Sequence, residues 1–173
     1  QLHNAATVLE AVSVLRKLGW DIDDEAVESG LYSVAWPARF EVLHTDDPWF
    51  VLDGGHNPQC AAALRECLEH YFPDSKRVAL VGVLKDKDYK SIAATLAPLF
   101  DACVCVTPPS ERALPAEELA ELFKDSCREV CVADTVEDGV DLARDIAQEQ
   151  DAMVCAFGSL YICGQIRSCF GLR

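Results

Sequence analysis

The feature that most restricts the fold of this chain is a regular alternation of helical segments and short apolar runs after Pro58. Helical spacing predicts helices over 59–71, 89–100, 115–124, 136–150 and 160–170. Apolar, β-branched runs predict strands over 77–84, 102–107, 129–133 and 152–157. Because these strands lack polar alternation, they are typical of a parallel sheet that helices cover on both faces. We therefore expect an α/β fold with a Rossmann-like, doubly wound, mostly parallel sheet.

The first 35 residues have a different character. Two helices are predicted, one over 4–19 that stops at Gly19 and a shorter one that Asp23 or Asp24 caps. Beyond Pro37 the pattern changes to two strands, over 39–44 and 49–54. We place a domain boundary at about Ala35, which gives one domain over 1–35 and a second over 36–173.

Composition excludes several classes of partner. The chain has 15 basic and 29 acidic residues and a net charge of −14, which disfavours binding to nucleic acid. It has no apolar run of about 18 residues and no basic region followed by an apolar one, so we expect no membrane segment and no signal peptide. A cytoplasmic protein is expected.

The chain has nine cysteines and no Cys-x-x-Cys motif. A disulfide framework suits small exported proteins, so we expect no such framework here and a reducing cytosol as the compartment, while the sequence leaves the redox state of the cysteines open. Cys103 and Cys105 are two residues apart in a predicted strand and would share one face of it. They are interpreted as small buried hydrophobes in preference to a metal or redox site.

Ligands of doubly wound sheets bind beyond the carboxyl ends of the strands, and the segment Asp-Gly-Gly-His-Asn-Pro lies at such an end. Asp53 ends the strand, the two glycines let the backbone approach a ligand, and Asn57 and Pro58 suit a helix start. That helix start favours an anion, and His56 can donate to a phosphate or carboxylate. The alternative is that Asp53 and Asn57 only cap local backbone and that His56 is a surface residue.

The other candidate residues can also be explained without a ligand. Arg39 could bind a phosphate bidentately or be a solvated arginine at a strand edge. Asn4 and Ser159 each precede or begin a helix and would act as caps. Lys87 and Arg112 lie in charged or proline-rich loops where solvent exposure explains them. The phosphate-binding motif GxxxxGK[ST], the dinucleotide motif GxGxxG and the nucleophile motif GxSxG are all absent.

Five segments together resemble the C-terminal part of folylpolyglutamate synthase, an enzyme that in many bacteria is also a dihydrofolate synthase. These are LHNAATVLEAVSVLRKLG, GLYSVAWPARFEVL, VLDGGHNPQCAAAL, GVLKDKD and GSLYICGQIR, in the order and roughly the spacing of the family. The family belongs to the Mur ligase superfamily. It usually has Pro-Gly-Arg and Asp-Gly-Ala-His-Asn-Pro, so Ala38 and Gly55 replace small residues by small residues. We therefore expect neither replacement to remove a contact that the motif makes in the family.

The resemblance implies an ATP-dependent ligase. A folate carboxylate would be activated as an acyl phosphate, and the amine of L-glutamate would attack it to form an amide. The implied partners are ATP, Mg²⁺, L-glutamate, a folate (tetrahydrofolate or dihydropteroate) and the protein's own N-terminal ATPase domain. The magnesium ligands and the phosphate-binding loop of the family lie in that central domain, so no metal ligand is assigned to this chain.

The resemblance also implies roles for individual residues on the nucleotide side of the site. Asn4 would contact adenine, and Arg39 would bind the ATP phosphates and take part in catalysis. Asp53 would bind ribose or orient the nucleotide. His56 would be the second catalytic residue, close to both the phosphates and the glutamate.

On the glutamate side the implied residues are His56, Ser159, Tyr161 and Lys87. Since the first residue is Gln and the ATPase domain is missing, we expect the chain to be a fragment. Residues 1–35 would be the last two helices of the central domain, with an exposed apolar face that could drive self-association. We expect the fragment to fold, to bind ATP poorly and not to catalyse.

Two alternatives stay open. One is a Mur-type ligase of peptidoglycan synthesis, for which we expect the wording Asp-x-x-Ala/Lys-x-Asn-Pro in place of Asp-Gly-Gly-His-Asn-Pro. The other is a non-catalytic Rossmann-like binding module that kept the sheet and lost the activity. The sequence leaves open whether the enzyme also makes dihydrofolate.

Overall fold

The computed structural model describes residues 2–44, 46 and 48–172. The chain divides into two compact units, Gln1–Trp36 and Pro37–Arg173. The first unit contains helices α1 (Leu2–Lys17) and α2 (Asp24–Ser33). Asp23 caps α2, since its carboxylate accepts a hydrogen bond from the Ala26 N–H at 2.6 Å. Gly19 follows α1 with φ +92°, the left-handed conformation that commonly ends a helix.

The second unit is built on one six-stranded sheet. Its strands are β1 (Glu41–His44), β2 (Phe50–Asp53), β3 (Lys76–Val81), β4 (Ala102–Val106), β5 (Glu129–Ala133) and β6 (Ala152–Phe157). Their order in the sheet is β1-β2-β6-β3-β4-β5. Strand β1 pairs antiparallel with β2, whereas β2 with β6, β6 with β3, β3 with β4 and β4 with β5 pair in parallel. The predicted doubly wound, mostly parallel sheet is confirmed.

Helices cover both faces of this sheet. They are α3 (Pro58–Tyr71), α4 (Tyr89–Leu96), α5 (Ala116–Ala120), α6 (Val136–Gln150) and α7 (Leu160–Cys169). Helices α3, α4 and α5 bury apolar side chains against one face, and α6 and α7 bury theirs against the other. Successive strand residues alternate between these two cores, as the two-residue repeat of a strand requires. Val78 and Leu80, for example, face α6, whereas Ala79 and Val81 face the opposite layer.

Several predicted element ends need correction. The first strand begins at Glu41, not at Arg39, because Ala38 and Phe40 have φ values of +56° and +46° and form a turn. The helix predicted over 115–124 is only five residues long, and the turns after it bury Phe123 completely. The strand predicted over 77–84 ends at Val81. Asn4 is not a cap, since α1 begins at Leu2 and places Asn4 inside its first turn.

Most of the cysteines are buried in the core as apolar side chains. All nine are free, and five are buried: Cys103, Cys105, Cys127, Cys155 and Cys163. The predicted common face of Cys103 and Cys105 is confirmed, with the two sulfur atoms 3.6 Å apart inside the core. Within the described residues no helix is long and apolar enough to cross a membrane.

Candidate active site

The carboxyl ends of three adjacent strands meet at one edge of the sheet. Asp53 of β2 pairs in register with Phe157 of β6, and Phe157 pairs with Val81 of β3. The loops that follow these strands therefore start side by side. Gly158 has φ +111°, and a Cβ atom there would lie 2.7 Å from the Gly82 carbonyl oxygen. The absence of a side chain lets the loops after β6 and β3 pack backbone to backbone.

The Asp53 carboxylate links the end of β2 to the turn that contains Arg39. One oxygen accepts a hydrogen bond from the Gly55 N–H at 2.7 Å, and the other accepts from the Phe40 N–H at 2.9 Å. Burial raises the pKa of Asp53, although these two N–H groups and the charge of Arg39 oppose the shift. Each carboxylate oxygen has a second lone pair, so the group can still accept a hydroxyl from a ligand.

Arg39 lies in a turn that is fixed on both sides. The Ala38 N–H donates to the Glu41 carboxylate at 2.8 Å, and the Ala38 carbonyl accepts from the Gly54 N–H at 2.7 Å. The Phe40 N–H in turn donates to the Asp53 carboxylate, so the backbone on both sides of Arg39 is hydrogen-bonded to neighbouring residues. The exposed side chain of Arg39 therefore belongs to a turn that hydrogen bonds hold in place beside the Asp53 loop.

A largely buried ion pair connects the same turn to α7. The Glu41 carboxylate accepts a hydrogen bond from the Arg167 guanidinium, and the two side chains are 23% and 13% exposed. Burial alone would raise the pKa of Glu41, but the bonds from Arg167 and Ala38 lower it by more, so the net pKa is lowered. Glu41 is therefore charged at neutral pH and ties the Arg39 turn to the helix that begins after Ser159.

His56 is half-buried at the start of α3. Its Nδ1 atom lies 3.0 Å from the Gly54 carbonyl oxygen, which is a hydrogen bond when Nδ1 carries the proton. In that tautomer Nε2 is an acceptor. The predicted helix start is confirmed, because Asn57 caps α3 through the Cys60 N–H at 2.8 Å and Pro58 is the first helical residue.

The N–H groups of this loop are partly used by the loop itself. Gly54, Gly55 and Cys60 donate to Ala38, Asp53 and Asn57, respectively. An anion bound here would therefore depend on side-chain cations more than on these N–H groups. Arg39 is the cation whose turn is fixed against the loop.

Ser159 and Tyr161 lie at the start of α7. Ser159 is buried and its hydroxyl accepts a hydrogen bond from the Tyr161 N–H at 3.2 Å, so the predicted capping role is confirmed. The Tyr161 hydroxyl accepts from the Arg112 guanidinium at 3.3 Å, and Arg112 also pairs with Asp86 at 3.1 Å. The interpretation of Arg112 as a merely solvated residue missed these two partners. They lie 26 and 49 residues away in the sequence, where no local pattern could reveal them.

The remaining predicted site residues lie apart from these contacts. Lys87 is half-buried in the loop after β3, where its N–H donates to the Leu84 carbonyl at 3.1 Å. Asn4 belongs to the first unit. The structure thus joins Arg39, Asp53 and His56 through the backbone of one pair of loops.

Magnesium prefers oxygen ligands, so carboxylates are the side chains of interest for a magnesium site. Among residues 2–44, 46 and 48–172, no group of three His, Cys, Asp or Glu side chains could hold a metal ion. The described part of the chain therefore has no side-chain cluster that could hold a metal ion by itself. A nucleotide fits the chemistry of the edge better, because Arg39 matches a phosphate and Asp53 a hydroxyl donor.

The sheet order and the covering helices define a doubly wound α/β domain, and the loop pair around Arg39 and Asp53 lies at the edge where such domains bind ligands. Residues 38–160 match the family model of the Mur ligase glutamate ligase domain, and the chain belongs to this family. The family relationship predicted from the sequence motifs is thereby confirmed.

Individual relatives indicate a narrower group within this family. The chain is 34% identical to the dihydrofolate synthase/folylpolyglutamate synthase of Mycobacterium tuberculosis, over 99% of this chain and 38% of that protein. It is 31% identical to the folylpolyglutamate synthase of Lacticaseibacillus casei, over 96% of this chain and 37% of that protein. The predicted resemblance to this group is confirmed.

Solved structures agree with the relatives. Folylpolyglutamate synthase of Mycobacterium tuberculosis, complexed with ADP and AMPPCP, superposes with a TM-score of 0.85 at 32% identity, covering 96% of this chain and 39% of that one. FolC of Escherichia coli in complex with DHPP and ADP gives a TM-score of 0.80 at 26% identity, covering 97% and 38%. In each of these four comparisons the chain spans less than two fifths of the length of the matched protein.

Proposed function

We propose that the protein containing this chain is an ATP-dependent folylpolyglutamate synthase that adds L-glutamate to a folate. The observation that carries the proposal is the meeting of the Arg39 turn with the Asp-Gly-Gly-His loop at the carboxyl edge of a Mur ligase sheet. Relatives that match nearly the whole chain are named folylpolyglutamate synthases, and several are named dihydrofolate synthases as well.

On the nucleotide side we assign three residues. ATP, as a substrate, supplies the phosphoryl group that activates the folate carboxylate as an acyl phosphate. The Arg39 guanidinium neutralises phosphate charge, and its fixed turn lowers the cost of orienting it. The free lone pairs of Asp53 accept ribose hydroxyls. Asn4 contacts adenine in this proposal.

On the glutamate side the Nδ1 atom of His56 donates to Gly54, which leaves Nε2 as an acceptor for the glutamate amine. An acceptor there orients the amine for attack and helps to remove its proton. Ser159, Tyr161 and Lys87 are assigned to hold the amino acid. Ser159 can do so only through the part of its hydroxyl that capping of α7 leaves unused.

Magnesium ligands are assigned to the protein's own N-terminal ATPase domain. The first unit, α1 and α2, would then be the last part of that domain. Its apolar side chains support this assignment, because α2 has no buried residue and Leu18 and Trp20 are exposed. We expect the 173-residue chain alone to fold, to bind ATP weakly and not to turn over. A reducing compartment such as the cytoplasm suits its nine free cysteines.

The test uses the complete gene product with magnesium-ATP, L-glutamate and either tetrahydrofolate or dihydropteroate, followed by product mass. A gain of one glutamyl unit with release of ADP supports the proposal, and a gain on dihydropteroate adds the second activity. Arg39→Ala should lower turnover by about a hundredfold or more. Arg65→Ala, an exposed arginine paired with Glu69 on α3, is the matched control and should keep it.

A folded protein with no gain on either folate would refute the proposal. Turnover of a peptidoglycan precursor would then favour the Mur-type alternative. Turnover that survives substitution of Arg39, Asp53 and His56 would show that these residues are not the site.

A further inference from the structure

A second polar cluster lies at the same edge of the sheet, and two of its three residues, Asp86 and Arg112, have no role in the assignments above. We call Asp86, Arg112 and Tyr161 the Arg112 cluster. Its residues come from the loop after β3, the loop after β4 and the start of α7, respectively. We propose that Arg112, oriented by Asp86 and Tyr161, binds the side-chain carboxylate of the incoming glutamate and selects it over uncharged amino acids. This inference rests on the proposed function.

The backbone presents Arg112 at this edge. The Lys85 N–H donates to the Arg112 carbonyl at 2.9 Å, and the Leu114 N–H donates to the Val83 carbonyl at 3.0 Å. Leu84 and Ala113 form an antiparallel bridge between these two bonds. The loops after β3 and β4 are therefore joined into a short ribbon beyond the sheet, and Arg112 has a defined position on it.

Side-chain contacts then fix the guanidinium. One terminal nitrogen lies 3.1 Å from the Asp86 carboxylate and the other 3.3 Å from the Tyr161 hydroxyl, while the guanidinium carbon lies 6.0 Å from the centre of the Tyr161 ring. The Arg112 and Asp86 side chains are 51% and 42% exposed. An ion pair so exposed contributes little to stability. Its effect is to orient the guanidinium before any ligand arrives.

The guanidinium keeps donors for a ligand. Arginine carries five N–H donors, and the two contacts to Asp86 and Tyr161 use only part of them. A carboxylate is the ligand group that best matches the planar fork. The half-buried Lys87 lies on the same loop as Asp86 and adds positive charge. Residues 85–88 and 110–112 carry three basic and three acidic side chains, so these loops lack the acidic excess of the chain.

The position of Tyr161 links the cluster to the amino acid. Tyr161 is the second residue of α7 and bonds to Ser159, which the proposed function assigns to glutamate. Glutamate bound there has a side-chain carboxylate that needs a cationic partner, whereas Arg39 is already assigned to phosphate. A site built around an ionic partner rejects an uncharged analogue strongly, because the partner is left unpaired.

The experiment measures steady-state kinetics of the complete gene product, with L-glutamate and L-glutamine as competing amine donors. Arg112→Gln should raise the KM for L-glutamate about tenfold, as expected for one lost charge-assisted hydrogen bond, and should lower the preference for glutamate over glutamine by a similar factor. The KM for ATP should stay within about twofold. Arg112→Lys should recover only part of the preference.

Controls separate this inference from the proposed function. Arg65→Gln, an equally exposed arginine in an ion pair on α3, should change neither KM. Calorimetric titration of L-glutamate into the wild type and Arg112→Gln measures binding without turnover. An active wild type whose Arg112→Gln variant keeps both its KM and its preference overturns this inference alone.

The other outcomes are equally decisive. Glutamate binding that depends on Arg112 in a protein without ligase activity supports this inference and refutes the proposed function. A wild type that neither binds glutamate nor turns over refutes both. A variant that loses kcat equally for both amino acids indicates a structural role of Arg112 and overturns the inference.

Discussion

The Asp53 carboxylate accepts a hydrogen bond from the N–H of Phe40, thirteen residues earlier in the chain, at 2.9 Å. Phe40 directly follows Arg39, so this bond places the Arg39 turn on the end of β2. The same carboxylate holds the Gly55 N–H one step before His56. A single side chain therefore sets the relative position of the two proposed catalytic residues, whatever contact it also makes with a nucleotide.

Replacing Asp53 should consequently loosen both loops. Asp53→Ala leaves two part-buried N–H groups without their acceptor, and we expect the free energy of unfolding to fall by about 1–3 kcal/mol. Asp74→Ala removes an exposed carboxylate and should change it by less than about 0.5 kcal/mol. Urea unfolding followed by circular dichroism measures both. Equal effects of the two substitutions would show that Asp53 does not hold these loops.

The ion pair between Glu41 and Arg167 predicts a pH dependence. The folded-state pKa of Glu41 lies below its ordinary value of 4.5, so the pair contributes stability above that pH and loses it as the pH falls through the folded-state pKa. Glu41→Gln should lower the free energy of unfolding by about 1–3 kcal/mol at pH 7. The difference from the wild type should shrink as the pH falls below 4.5.

Urea titrations at several values between about pH 7 and pH 3 give this difference directly. Glu69→Gln, which removes the exposed partner of Arg65, should cost at most about 0.5 kcal/mol at pH 7. A Glu41 effect that stays constant over this range would mean that ionisation of Glu41 does not matter.

Ala38 has φ +56° while its side chain is buried. Glycine adopts this left-handed backbone more readily than alanine does. Ala38→Gly should therefore stay within about 1 kcal/mol of the wild type, since relief of strain offsets the loss of a buried methyl group. Ala38→Val, a β-branched residue at the same φ, should lower the free energy of unfolding by more than about 2 kcal/mol. Thermal unfolding of the two variants compares them, and a tolerated valine would argue against the turn.

How far the sequence predicts this molecule depends on the range of the interactions. The sequence predicts strands β5 and β6 and helix α6 to the residue, because polar residues or a glycine lie directly on either side of each of these segments. The Arg39 turn was predicted as strand, since its conformation depends on Asp53 and Glu41 holding it. The five-residue α5 likewise ends where burial of Phe123 outweighs helix propensity.

The candidate site shows the same division. Asp53, His56 and Asn57 lie within one local motif, and their arrangement followed from turn and cap chemistry. The contacts of Arg112 with Asp86 and Tyr161 depend on the order of β6, β3 and β4 in the sheet, which no single segment encodes. The sequence therefore predicts Arg112 only as a solvated loop residue, because its two partners meet it through the order of the strands.

Cysteine reactivity gives a test of the core. Burial raises the pKa of Cys127 to about 11 and that of Cys163 to about 12, so almost no reactive thiolate exists at about pH 8. We expect a thiol reagent to modify the exposed Cys169 first and the five buried cysteines only on unfolding. All nine should react in denaturant. Cys169→Ser should remove the fast phase, and rapid native labelling of Cys127 or Cys163 would contradict the packing.

Two glycines near the start of α7 provide a matched pair for the last prediction. Gly158 combines φ +111° with a backbone oxygen, that of Gly82, 2.7 Å from where a Cβ atom would lie, and this oxygen cannot move aside as a flexible side chain could. Gly158→Ala should therefore lower the free energy of unfolding by about 2 kcal/mol or more and push the loops after β6 and β3 apart. Gly164 is an exposed position inside α7, and a methyl group added there would have no neighbouring atom within 4 Å. Gly164→Ala should raise the free energy of unfolding by up to about 1 kcal/mol, because alanine is the better helix former. Opposite signs in parallel urea titrations are expected, and a Gly158→Ala variant as stable as the wild type would mean that the two strand ends are not in contact.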